Sequence, residues 1–158
     1  MVYRKATKED LPAIIEMIAN DALGQLRERF EDPLPKEYYS AFERINTDKN
    51  QELIVIENSE SEVVATFQLS FLQYLTYVGG IRCLVENVHV REDQTGKGIG
   101  KQMFQWIIER AKEKNVHLIQ LTSNKLRPNA IRFYEGIGFK ATHEGFKLHL
   151  YISQIKIP

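Results

Sequence analysis

The stretch that most constrains this chain is Thr95-Gly96-Lys97-Gly98-Ile99-Gly100-Lys101, set between an extended apolar run, Ile81 to Val90, and a helical one, Gly98 to Lys114. In the helical run Ile99, Met103, Phe104, Trp106, Ile107 and Ala111 recur at helical spacing, and Lys112, Lys114 and Asn115 suit its C-terminal end. A strand feeding closely spaced glycines and then a long helix puts several backbone N–H groups at a helix N-terminus, where the macrodipole adds about half a positive charge. Glycines at 96, 98 and 100 let that backbone approach a ligand with no Cβ in the way. The segment predicts a cradle for phosphate or pyrophosphate; the plainer alternative is a tight turn.

Two familiar phosphate loops do not fit these letters. A Walker loop needs Gly-Lys followed by Ser or Thr, but Gly100-Lys101 is followed by Gln102, and Thr95 stands where the earlier Gly belongs. A dinucleotide fingerprint needs Gly at Lys101 and an acidic residue about 20 positions on. This chain reads Leu118-Ile119-Gln120-Leu121 there.

The remaining chain alternates elements without repeats, linkers or low-complexity tracts. Val2 to Ala6 reads as a first strand, and Thr7 with Asp10 three residues later starts a helix carrying Leu11, Ile14, Ile15 and Ile18. After a loop or broken helix from Arg27 to Pro35, a second helix shows Tyr38, Tyr39, Phe42 and Ile45 on one face. Glu52 to Glu57 and Glu62 to Leu72 form a hairpin about Asn58-Ser59-Glu60-Ser61, the second strand half-buried, with Val63, Ala65, Phe67, Leu69 and Phe71 inward. Val116 to Thr122 reads as a strand, Pro128 to Glu135 as a short helix, and Phe139 to Ile152 as strand-rich. The order β-α-α-β-β-β-α-β-α-β predicts one α+β domain over residues 1–158, with a mixed, mostly antiparallel sheet flanked by helices.

Composition narrows the functional classes. Lys plus Arg and Asp plus Glu both total 21, so no net field draws the chain onto nucleic acid or anionic lipid. Cys83 is the lone cysteine, no apolar run approaches the roughly 20 residues of a membrane span, and Met1 to Lys5 lacks the apolar stretch of a signal peptide. These features predict a cytoplasmic protein with no nucleic-acid or membrane partner. No metal-ligand spacing stands out: His143-Glu144 lacks a second His at Lys147, and His117 and His149 have no visible partners.

Thr95-Gly96-Lys97-Gly98-Ile99-Gly100 resembles the Arg/Gln-x-x-Gly-x-Gly/Ala motif of the GCN5-related N-acetyltransferase (GNAT) family, which lies between that family's fourth strand and third helix. A second signature, Ala130-Ile131-Arg132-Phe133-Tyr134-Glu135-Gly136-Ile137-Gly138-Phe139, stands where the family has Ala-x-x-[Leu/Phe]-Tyr-x-x-x-Gly-Phe. The element order matches along nearly the whole chain. The usual Arg or Gln is Thr95, with Gln94 one place early, so the grip rests mainly on backbone N–H groups. Arg127 stands where the family often has Asn; Asn124, Arg127 and Asn129 are the alternatives for a further contact to the coenzyme.

The resemblance implies acetyl-CoA as cosubstrate, its pyrophosphate on residues 95–101, and pairing of its pantetheine arm with the strand backbone at Val88, His89 and Val90. A bulge is common on that strand in the family. The resemblance also implies Glu86 as the base that frees a primary amine, directly or through water, and Tyr134 as the acid beside the departing thiolate. For each there is a plainer reading, an exposed carboxylate and a packed aromatic. By simple strand alternation Glu86 shares a face with Val88 and Val90 while His89 points the other way, which favours an ordinary strand role for His89 unless a bulge shifts the parity.

Phe30, Tyr74, Tyr77 and His143 are candidates for the acceptor pocket, with Glu31 and Asp32 able to attract an amine. A narrower resemblance, of Leu121-Thr122-Ser123-Asn124-Lys125 with Arg127 and the second signature, is to aminoalkylphosphonate N-acetyltransferases, which implies a small amine bearing an anion. Protein N-termini and lysine side chains are alternative acceptors within the family, and a non-catalytic acyl-CoA sensor is the alternative to an enzyme. The family often forms homodimers through sheet edges or C-terminal strands, and Phe146, Leu148, Leu150 and Ile152 alternate as an edge strand would; an internal strand alternates alike.

Overall fold

The computed structural model describes residues 1–21 and 24–150. Five strands, β1 (Val2–Lys5), β2 (Gln51–Glu57), β3 (Val63–Gln73), β4 (Ile81–Val90) and β5 (Val116–Gln120), lie side by side in chain order. The first three pairings are antiparallel and β4–β5 is parallel. Helices α1 (Leu11–Ala19) and α2 (Lys36–Thr47) precede β2. A four-residue turn, α3 (Thr76–Gly79), joins β3 to β4, α4 (Ile99–Glu113) connects β4 to β5, and α5 (Pro128–Gly136) follows β5.

Local chemistry accounts for most of these boundaries. Asp10 Oδ2 accepts the Thr7 N–H at 2.7 Å, closing the capping box that turns the chain from β1 towards α1. At the β2–β3 turn Asn58 Oδ1 accepts the N–H groups of Glu60 and Glu62, both at 2.9 Å, a local bond that Asn supplies readily.

The sheet is covered on both faces. On one, Met103, Phe104 and Ile107 of α4 pack on Ile54 and Ile56 of β2, Phe67 and Leu69 of β3 and Val85 of β4. On the other, Leu11, Ile14 and Ile15 of α1 and Phe42 of α2 pack on Val55. Each large apolar side chain so enclosed contributes about 1.5–3 kcal/mol of transfer free energy. Being central, β3 is buried on both sides, with Val64 and Thr66 as inaccessible as Phe67, rather than half-buried. Thr66 satisfies its hydroxyl by donating to the Ile54 carbonyl at 3.0 Å. An irregularity at Ile56/Glu57, where Val64 is the extra residue, moves Val63 onto the α1–α2 face, away from Ala65 and Phe67.

The C-terminal expectation is corrected. Residues 140–150 contain no strand and are exposed, with Phe146 94%, Leu148 88% and Leu150 72% accessible; Ile152 lies outside the described residues. Alternation alone specifies no partner. The outer edge of β5 is not paired with this segment.

One buried charge is held by α4. Glu52, 4% exposed, accepts from Arg110 Nε at 2.9 Å and Nη2 at 2.5 Å. Burial alone would raise its carboxyl, but Arg110 and Lys114 outweigh that and hold it below the ordinary value of 4.5. A carboxyl lowered by folding stabilises the protein fully above its unfolded value, and the gain is lost as pH falls through the folded value. Because Arg110 keeps some solvent, Glu52→Gln is expected to cost about 2 kcal/mol at pH 7, less than a fully buried pair. Thermal unfolding from pH 3 to 7 should show the cost shrinking below about pH 4.5; a cost constant with pH would contradict this.

Candidate active site

The β4 strand carries an extra residue at its centre. Thr66 pairs with His89 and Gln68 with Glu86, so two steps on β3 match three on β4. Asn87, at φ 53°, absorbs the difference; Asn tolerates the left-handed region better than most residues, and its Nδ2 donates to Gln68 Oε1 at 3.2 Å. The bulge overturns the simple alternation. Glu86 and His89 share the face that carries α1 and α2, through Gln68 and Thr66, which pair with Leu53 and Val55. Val88 and Val90 instead pack towards α4.

The sheet opens just before the bulge. Pairing of β4 with β5 ends at Leu84↔Gln120, so the β4 backbone from Val85 to Val90 has no β5 partner, and β5 continues into the loop leading to α5. The gap leads to the glycine segment, where Gly98 sits at φ 82° as the residue preceding α4, with no side-chain cap. The first N–H groups of a helix lack intrahelical partners. A Cβ built at Gly96 or Gly98 would meet no atom within 4 Å, so their approach is open. This cradle fits the pyrophosphate of a coenzyme: uncapped donors, an open approach and the positive end of a fifteen-residue helix.

The three glycines differ in use. A Cβ at Gly100 would lie 3.2 Å from Phe133 Cζ, so Gly100 also allows the close contact of α4 with α5. Thr95, Lys97 and Lys101 are exposed while Ile99 is buried. Lys97 Nζ donates to Gln94 Oε1 at 3.1 Å, and Gln94 Nε2 to Asp93 at 2.8 Å, so Gln94 is engaged within its own loop.

Tyr134 stands on α5 in an aromatic cluster, edge-on to Phe104 at 5.6 Å and to Phe139 at 6.1 Å. Burial raises its phenol above the ordinary value, with Arg127 opposing and Glu86 reinforcing the shift, so the charges of both residues reach Tyr134. Glu86 itself is exposed. A tyrosine so raised keeps its proton at neutral pH and remains a donor. Cys83 is buried and its thiol is pushed up to about 12 by burial, so it stays protonated and packed.

The α5 approach separates the three candidates for the further contact. Asn124 Oδ1 accepts the Leu126 N–H at 2.9 Å, shaping the turn before α5, and Asn129 is engaged by Arg132. Arg127 instead reaches Asp21, just after α1, and bridges the start of α5 to the α1–α2 side of the sheet. Asp21, Arg27, Glu28 and Arg127 all act electrostatically on His89, whose imidazole is lowered chiefly by burial. Asp21, Arg27 and Glu28 were not singled out by sequence: isolated charges in a stretch without periodicity give no signal until the fold gathers them.

The remaining acceptor candidates are dispersed. Tyr74 and Tyr77 lie against the Arg82 guanidinium, 4.6 and 5.7 Å from their ring centroids, at the opposite end of β4 from the bulge. Phe30 is exposed between α1 and α2, near Arg29–Glu31, which pair with each other. His143 is exposed beside Thr142, in the strandless C-terminal segment.

Comparison with known proteins agrees with this geometry. The sequence model of the Acetyltransferase (GNAT) family matches residues 16–139. The chain is 28% identical over 138 residues to an L-methionine sulfoximine/L-methionine sulfone acetyltransferase of Pseudomonas paraeruginosa, covering 87% of this chain and 78% of the relative. It is 30% identical over 94 residues to an aminoalkylphosphonate N-acetyltransferase of Salmonella typhimurium, covering 59% and 58%. Among solved structures, one described as a transcriptional regulator from Bacillus halodurans C-125 superposes with a TM-score of 0.91 at 52% identity, covering 94% of this chain and 99% of that one. With an opened β4–β5 cleft, a glycine cradle at the start of α4 and a family match over most of its length, the chain belongs to the GNAT family of acetyltransferases.

Proposed function

We propose that this chain moves the acetyl group of acetyl-CoA to the primary amine of a small molecule that also carries an anionic group. The observation that carries the reading is the continuity of the cleft: the opened β4 edge runs into the cradle at α4, with Glu86 on the acceptor side of the bulge and Tyr134 within its electrostatic reach. The coenzyme supplies an activated thioester. Residues 95–101 hold its pyrophosphate, with Gly96 and Gly98 giving access, and the backbone of Val88, His89 and Val90, which has no partner on the β5 side, takes its pantetheine amides. An N–H near Val88 polarises the thioester carbonyl.

An alkylammonium near pKa 10.4 does not attack until it loses a proton, which Glu86 removes directly or through water. The amine nitrogen bonds to the acetyl carbon, the carbon–sulfur bond breaks, and Tyr134 offers its proton to the leaving thiolate. The two acetyltransferases compared above are named for substrates that pair an amine with an oxyanion, and Arg127 gives this site a guanidinium suited to one. Thiol release should therefore accompany acetylation of L-methionine sulfone or an aminoalkylphosphonate, and be slower with a lysine peptide. Coenzyme binding with no thiol release across the panel would make the chain an acyl-CoA sensor instead.

We also read the chain as a homodimer. The exposed alternation of Phe146, Leu148 and Leu150 and the edge of β5, unpaired among the described residues, suit a second copy. Leu148→Asp should halve the mass seen by light scattering; an unchanged mass, or a monomeric parent, would contradict this.

A further inference from the structure

We infer that His89 is a second proton-transfer group of the acceptor side, receiving through a water the proton that Glu86 draws from the amine. This rests on the acetyl-transfer reading above, and it arises from the bulge. Without Asn87 as the extra residue, His89 would point towards α4, away from Glu86; with it, His89 emerges on the same face as Glu86. Their partners on β3, Thr66 and Gln68, are two residues apart, which spaces the two backbone positions by about 6.6 Å along the strand. A carboxylate and an imidazole carried on positions so spaced can be joined through one water.

The surroundings favour transfer over a merely packed ring. The His89 imidazole makes no side-chain hydrogen bond with any described residue. The charged groups that act on it come from three other segments, Asp21 after α1, Arg27 and Glu28 before α2, and Arg127 at the start of α5, while Glu86 shares its face of β4. Burial keeps the ring neutral near pH 7, so it is ready to accept. Imidazole is also closer in basicity to an amine than a carboxylate is, which makes it the better holder of the proton. The proton balance closes: the ammonium loses one proton, the Glu86 carboxylate passes it on, and the imidazole keeps it until it is released to solvent.

The test is the pH dependence of acetyl transfer to L-methionine sulfone, followed by thiol release, in the wild type, His89→Gln, His89→Ala and Asp21→Asn. In the wild type the acid limb of kcat/KM should have its midpoint below 6.5, the ordinary imidazole value. His89→Gln should lower kcat about 100-fold at pH 7 and lose that limb, the deficit shrinking as pH approaches the amine's own pKa. Added imidazole should restore part of the rate to His89→Ala, and CoA affinity by titration calorimetry should be unchanged in both. Asp21→Asn leaves His89 in place and removes an anion that favours its charged form, so the midpoint should move down. A wild-type pH profile in His89→Gln, or a pH-independent loss with no rescue and no shift in Asp21→Asn, overturns the role of His89 while leaving acetyl transfer standing. A wild type that binds CoA but releases no thiol with any amine overturns the functional reading itself, and this one with it.

Discussion

Gly98→Val is expected to weaken CoA binding by at least about 30-fold, because a β-branched residue held at positive φ costs about 1–3 kcal/mol and its methyl groups also intrude on the approach to the helix N-terminus. Gly98 is at φ 82° immediately before α4, and the space a side chain would fill there is open. The substitution meets no protein atom, so its effect falls on backbone conformation and on the ligand rather than on the core. Thr95→Ala should change affinity less than threefold, since Thr95 is an exposed side chain beside a grip made of backbone donors. Titration calorimetry with CoA checks the order; a larger loss in Thr95→Ala would move the grip from backbone to side chain.

Glu86→Gln should lower kcat by about 100-fold at pH 7 while leaving the KM for acetyl-CoA unchanged. The amide keeps the shape of the side chain but takes no proton, and Glu86 is exposed, so the fold loses little. Residual activity should climb with pH as the ammonium loses its proton to solvent by itself. Unchanged kcat across the same range would reduce Glu86 to a surface carboxylate. The effect of Tyr134→Phe is expected to be smaller, about 10-fold, because a thiol of pKa about 8.5 is already a fair leaving group.

The strands and helices that build the cleft were legible because each rests on local pattern: the capping pair Thr7 and Asp10, the Asn58 turn and the helical spacing from Ile99 to Ala111 all fall where the structure has them. The side on which a β4 residue emerges was not. One extra residue reverses every later side chain of a strand, and only the pairing with β3 fixes where the bulge lies. That is why His89, apparently opposite Glu86 by counting, stands with it. Similarly, the alternation of Phe146, Leu148 and Leu150 has the period of a strand, but a strand also needs a neighbour, and no period encodes one. Tyr74 and Tyr77, attractive as pocket aromatics, are gathered round Arg82 at the far end of β4 by a turn whose left-handed residues give no periodic signal.

The central claim is that the coenzyme lies along the opened β4 edge with its pyrophosphate at the start of α4. Backbone amide resonances followed during a titration with CoA test it residue by residue. The largest shifts should fall on Gly96 to Lys101, Val88 and Val90, with little change at Tyr74 and Tyr77. Shifts confined to the far end of β4, or absent from the glycine segment at saturation, would contradict the account.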